Sequence, residues 1–120
     1  MIKMIFMLKR RPGMTREAFI ERYENGHAQI GARHVAGAAR YVRRYLEPVP
    51  ELFTGDVVDP DHDVITELWF DTQEAYERTM QRLAQPDVVA EIVADEEELF
   101  DRSRHRVFMV DERDTSLTGG

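Results

Sequence analysis

The chain has 120 residues and a formal net charge of -7, from 16 basic and 23 acidic side chains. That length suits one domain with a real core, and the acidic balance, with no basic patch interleaved with aromatics, disfavours nucleic acid and polyphosphate partners. The chain has no cysteine, which removes disulfides and thiolate metal sites.

Residues 2–10 alternate in part and predict a strand, with Ile2, Met4, Phe6 and Leu8 on one side. Lys3, Ile5, Met7 and Lys9 take the other. The start lacks a small-residue cleavage site, and no apolar stretch nears the roughly 20 residues that span a bilayer. The expectation is a cytoplasmic protein without a membrane partner. Lys9-Arg10-Arg11 reads as a solvated strand end before the Pro12-Gly13 turn.

Thr15 is placed to cap a helix, with Met14 and Phe19 positioned as a hydrophobic staple and Glu17 in the first turn. Ala18, Phe19, Arg22, Tyr23, Gly26, His27 and Ile30 trace its apolar stripe. Asn25-Gly26 or Gly31 can distort it, and Gly37 closes the segment. Residues 39–46 predict a second strand, with Tyr41, Arg43 and Tyr45 on one face and Val42 and Leu46 on the other. There Arg40, Arg43 and Arg44 alternate with Tyr41, Val42 and Tyr45; turned into a cavity, the arginines would hold an anionic group. Residues 47–61 are irregular, with three prolines and with Leu52 and Phe53 as apolar contacts over an opening, or as a plain connection.

Residues 63–70 predict a third strand, with Val64, Thr66, Leu68 and Phe70 opposite Ile65, Glu67 and Trp69. Asp71-Thr72 precede a helix to about Ala84, and Pro86 opens another segment that runs to the acidic stretch Asp95–Glu98. A last strand lies near 104–111. Residues 1–112 form the expected domain and 113–120 a fraying tail. The order is α+β, a ferredoxin-like βαββαβ with an extra short helix before the final strand. Helices would cover one side of a four-stranded antiparallel sheet, leaving Met7, Tyr41, Tyr45, Trp69 and Met109 on the other. So much apolar surface calls for a second copy packed sheet to sheet, with a pocket beside the helices.

The chemistry centres on His27, one turn after Tyr23 and two after Phe19. It is either a core histidine satisfied by a backbone carbonyl or an acid/base group at a cavity edge. No HExxH, Gly-rich phosphate loop or serine elbow accompanies it, so metal, ATP and dinucleotide use are not expected. Asp95-Glu96-Glu97-Glu98 offers a carboxylate to fix its tautomer, or is a solvated face. Glu96 stands one turn from Phe100, which sets a carboxylate beside a ring. Trp69 and Tyr45 line an aromatic cavity or pack an interface; the Tyr45 phenol and Arg43 are candidate donors to developing negative charge.

Three segments resemble the EthD domain family: KMIFMLKRRPGMTREAFIERYENGH, VITELWFDTQEAY and ADEEELFDRSRHRVFMVDE. The resemblance runs over nearly the whole chain, least in residues 47–61 and the tail. It implies ferredoxin-like subunits that pair as a dimeric α/β barrel, each with a cavity. It places the family histidine on His27, the late acidic pair on Asp95 and Glu96, the positions after it on Phe100 and Asp101, and the family tryptophan on Trp69. The family often has tryptophan where Tyr23 stands, and an Asn-His pair where Arg44-Tyr45 stand.

Such proteins are associated with xenobiotic breakdown and aromatic polyketide processing, and related barrels with muconolactone isomerisation and cofactor-free oxygenation. The expectation is therefore a cofactor-independent lyase or isomerase acting on a small hydrophobic cyclic, aromatic or polyketide-like ligand. His27 would move the proton, Asp95 would orient it or share its duty, and Tyr45 or Arg43 would stabilise an oxyanion. Tyr23, Trp69 and Tyr41 would shape the pocket. The competing expectations are a cofactor-free monooxygenase and a non-catalytic binding dimer.

Overall fold

Apolar residues on both faces suit the first and third strands to the centre of the sheet. In the computed structural model, which describes residues 1–118, β1 (Ile2–Leu8) pairs antiparallel with β3 (Val64–Phe70), Ile2 opposite Phe70 and Leu8 opposite Val64. β2 (Arg40–Tyr45) flanks β3 and β4 (Arg106–Met109) flanks β1, giving the order β2-β3-β1-β4. The last two positions of the expected 113–120 tail lie outside the described residues.

One face of this sheet is covered. Val64, Thr66, Leu68 and Phe70 are buried, whereas Ile65, Glu67 and Trp69 are only half-buried. Against the covered face pack α1 (Arg16–Arg22), a π-helical turn (Tyr23–His27) and α2 (Ala28–His34), which form one continuous helical run. Thr15 accepts from the Ala18 amide to cap α1, and Thr72 caps α3 (Gln73–Leu83) through the Ala75 amide. Pro86 begins α4 (Pro86–Leu99), 14 residues long and so not the short helix expected. Leu99 and Phe100 then close the core beside Phe19 and Tyr23, before a 3-10 turn (Arg102–Arg104) leads to β4.

Two expectations are corrected. The sheet is open, so the chain has the α+β ferredoxin-like order without the α/β barrel: β2 and β4 are its two edges, with two strands between them. A closed barrel, also one shared by paired subunits, leaves no free strand edge, whereas both edges of this sheet are unpaired among the described residues. The second correction concerns faces. Tyr41 stands opposite Leu68 and Tyr45 opposite Val64. Directly paired residues point to the same side of a sheet, so both tyrosines lie on the covered face. Met109, opposite Met4, is also on that side. The open face instead carries Ile5, Met7, Val42, Ile65, Trp69 and Phe108, with Lys3, Arg40, Arg44, Glu67 and Arg106 among them.

Candidate active site

The π turn supplies three of the functional side chains. Its wider winding lets the Ala28 amide reach back to the Tyr23 carbonyl, five residues earlier, across the Asn25-Gly26 pair. Extra residues of this kind are over-represented at functional sites, because they re-aim a helical face. Tyr23 and His27 are buried by it, and Glu24 is half-buried beside them.

α4 brings Asp95 to this turn. His27 Nδ1 lies 2.8 Å from Asp95 Oδ2, and the Arg22 guanidinium donates to both oxygens of the same carboxylate at 2.5 and 3.3 Å. Burial alone would raise Asp95, but the bonds from Arg22 and His27 outweigh it and hold the carboxyl below its ordinary range. An ionised Asp95 accepts the Nδ1 proton, which leaves Nε2 as the basic nitrogen. Burial lowers His27 despite the opposing pull of Asp95, with the Arg22 charge adding to the lowering. The ring is therefore neutral near pH 7 and competent as a base.

His27 is part of the wall of a cavity of about 120 Å³ between the sheet and the helices, whose apolar walls include Phe6, Leu8, Leu68, Val35 and Ile92. Tyr23, Tyr41, Thr66 and Glu96 are its polar members. Tyr23 Oη and Thr66 Oγ1 are 2.6 Å apart and satisfy each other within the core. Burial raises both the Tyr23 and Tyr41 phenols, so each stays protonated. Burial also raises Glu96, more than Arg102 lowers it.

The predicted residues thus divide into four groups. His27, Asp95, Tyr23, Tyr41 and Glu96 converge on the cavity or on the histidine that lines it. Phe100 packs edge-on to His27 at 5.3 Å between ring centres and to Tyr23 at 5.5 Å, holding the imidazole from behind. Tyr45 and Arg43 are turned elsewhere: the Tyr45 hydroxyl and the Arg43 guanidinium both donate to Glu24. That pairing holds Glu24 low, through Arg43 foremost, while burial and Glu24 push the Tyr45 phenol up. Trp69 stands on the open face, its Nε1 bonded to Glu67 and its ring covered by Lys3 and Arg40.

Arg22, Glu24, Thr66, Gly31 and His105 are functional or supporting residues to which sequence reasoning gave no role at this site. Arg22 lay on the apolar stripe, where a cation needs a buried partner, and Thr66 was the one hydroxyl on a buried strand face; both were signals. His105 had none. It packs against Phe100 at 5.0 Å, and its buried Nε2 has no hydrogen-bond partner among the described residues. No group of three or more His, Asp or Glu among those residues is arranged to hold a metal ion, and no helix there is long and apolar enough to cross a membrane.

Residues 11–103 match the model of the EthD domain family. No protein with a curated description matches the chain. Among solved structures, an ethyl tert-butyl ether D family protein from Bacillus halodurans C-125 superposes with a TM-score of 0.61 at 18% identity, over 94% of this chain and 100% of that one. A protein of Arabidopsis thaliana gives 0.61 at 15% identity, over 98% and 100%. A dimeric protein of ferredoxin-like fold from Bacteroides fragilis gives 0.52 at 11%, over 92% and 95%. At these identities the likeness is one of fold.

Proposed function

Starting from a chain that belongs to the EthD domain family, we propose that it is a cofactor-independent lyase or isomerase moving a proton on a small, single-ring ketone or hydroxylated cyclic compound. One observation carries this reading: a neutral, buried His27, fixed through Nδ1 by Asp95, lines an apolar cavity. Size narrows the substrate class. An apolar cavity of about 150 Å³ holds one benzene, so 120 Å³ suits a single ring rather than a fused polyketide.

In the proposed reaction, His27 Nε2 takes the proton from a carbon next to a carbonyl, and the C–H electron pair moves onto the carbonyl oxygen. The Tyr41 hydroxyl lies at the cavity wall, and its raised phenol is a donor for the oxyanion. Glu96, kept protonated to higher pH than a solvated carboxyl, is the second donor. For isomerisation His27 returns its proton to another ring carbon. For dehydration Glu96 gives its proton to the departing hydroxyl as the enolate collapses, and His27 then reprotonates Glu96 through water. Asp95 and Arg22 are positioning residues. The Glu24–Arg43–Tyr45 network braces the π turn from its other side.

The proposal also includes two copies covering their open sheet faces, since Trp69, Phe108, Met7 and Ile65 share that side.

The test is hydrogen–deuterium exchange at carbon, followed by NMR, across a panel of cyclic ketones, lactones and hydroxy acids. Exchange or turnover that falls about 100- to 10,000-fold in His27→Asn is expected. Undiminished exchange in that variant overturns the role of His27. Substrate-dependent oxygen uptake moves the reading to a monooxygenase, and binding without exchange to a carrier.

A further inference from the structure

The segment between β2 and β3 is built to present an apolar tip. Glu51 accepts from the Phe53 and Thr54 amides, both at 2.7 Å, and exchanges backbone bonds with Asp56 and Gly55. Gly55 completes the turn at φ +76°, a conformation open to glycine. This ordered turn leaves Leu52 90% and Phe53 92% exposed, with Val49 and Val58 also largely in water. Two adjacent large apolar side chains held outward by a self-bonded turn form a pre-organised anchor, and ordering it on contact would cost little entropy.

The charges say what the anchor fits. Residues 47–61 contain Glu47, Glu51, Asp56, Asp59 and Asp61 and no basic residue. The open sheet face has the opposite balance. Lys3, Arg40, Arg44 and Arg106 lie on it; Glu67 is taken by Arg44 and Trp69, and Glu112 from the C-terminal segment pairs with Lys3 at 2.7 Å, which leaves Arg40 and Arg106 without a carboxylate partner among the described residues. In a chain of net charge -7, that face is a cationic island around apolar side chains.

Geometry favours another molecule over the same one. The arm leaves the sheet at the Tyr45–Val64–Leu8 end, whereas Arg40, Trp69 and Lys3 are in register at the opposite end. Five strand residues separate the two rows, about 17 Å. A two-fold axis that packs one open face on its copy with strands antiparallel exchanges those ends. Each arm root then falls near the partner's Trp69 row.

We propose that the 47–61 arm of one copy docks through Leu52 and Phe53 on the Lys3–Trp69–Arg40 corner of a second copy. Its acidic flanks answer Arg40, the cation there that has no carboxylate partner among the described residues. The inference rests on the pairing of open sheet faces proposed above and specifies what locks it.

Trp69 is the only tryptophan, so its fluorescence reports on that corner while sedimentation reports on assembly. For the wild-type chain, a concentration-dependent dimer weakened by salt is expected. Leu52→Ser with Phe53→Ser should weaken it about 30-fold or more and alter Trp69 emission, with unchanged circular dichroism because both side chains are outside the core. Asp56→Lys with Asp59→Lys, and separately Arg40→Glu, should each weaken dimers, and combining them should restore most of the loss. If the serine variant dimerises like wild type with the same emission, the arm proposal falls and face pairing stands. A wild-type chain that stays monomeric at every concentration overturns both. A combined charge swap no stronger than its weaker parent overturns the assignment to the Trp69 corner.

Discussion

Gly31 and Tyr41 compete for the same space at the cavity wall: a Cβ on Gly31 would stand 2.7 Å from the Tyr41 hydroxyl and 3.2 Å from ring Cζ. The glycine sits inside α2, where alanine would ordinarily stabilise a helix by about 1 kcal/mol. Displacing a packed phenol costs about 1–3 kcal/mol, so the clash wins or cancels the gain. Gly31→Ala is therefore expected to be neutral or up to about 2 kcal/mol less stable in urea melts. It should also weaken binding of a single-ring ligand at least several-fold. A variant that is clearly more stable and binds normally would mean that Tyr41 moves aside freely, and the proposed oxyanion donor would lose its fixed place.

The Arg22–Asp95–His27 chain makes two opposite predictions for one proton. Asp95 raises His27 through its hydrogen bond and charge, whereas Arg22 lowers it. Asp95→Asn should therefore shift the His27 titration downward, and Arg22→Met should shift it upward while leaving Asp95 as acceptor. The imidazole Cε1–H signals across a pH series measure both. Shifts of the same sign in the two variants would show that His27 does not feel the pair separately. The catalytic reading would then lose its tautomer control.

Much of this arrangement was legible in the residues, and the part that was not has a common cause. Thr15, Thr72 and Pro86 announced their helix starts because capping is local chemistry. The β3 alternation was equally plain, and Asn25-Gly26 marked the place where the helix widens to π geometry. The side taken by Tyr41 and Tyr45 was not local. It depends on the register of β2 against β3, since pattern alone shows which residues share a face but not which face meets the helices. Trp69 was expected on the open side and stands there, while the choice between cavity wall and interface packing for it was likewise not local. The Asp95 partnership depends on where α4 crosses the π turn. Sequence spacing supplied the carboxylate, while only tertiary packing supplied its reach.

His105 should make the fold sensitive to acid. Burial, then the Arg102 charge, lowers this imidazole to about 4, against an ordinary value near 6.5. The unfolded chain takes up this proton as pH falls through about 6.5, but the folded chain resists until about 4. Stability from this group is complete above about pH 6.5 and is lost progressively as pH falls to about 4. Solvent reaches part of the ring and screens the effect, so the loss is about 1–2 kcal/mol, below what the full shift would give. His105→Leu removes the titration and the partnerless buried Nε2 together. Urea midpoints for that variant should match or exceed wild type at pH 7 and fall less steeply toward pH 4. Parallel pH slopes for the two chains would place the acid sensitivity elsewhere, in the carboxylates held low by ion pairs.

Tyr23 and Thr66 test whether the cavity floor is held by polar pairing or by shape. Their oxygens are 2.6 Å apart, Tyr23 is fully buried and Thr66 nearly so. Tyr23→Phe leaves the Thr66 hydroxyl without its partner, and Thr66→Val does the same to the phenol, each at a cost of about 1–3 kcal/mol. The double variant removes both polar atoms while conserving shape, so its loss should be smaller than the sum of the single losses. A coupling of about 1 kcal/mol or more in urea denaturation is the expected result. Strict additivity would mean that the two hydroxyls contribute independently, and the floor beneath His27 would then owe its rigidity to the surrounding rings of Phe19 and Phe100.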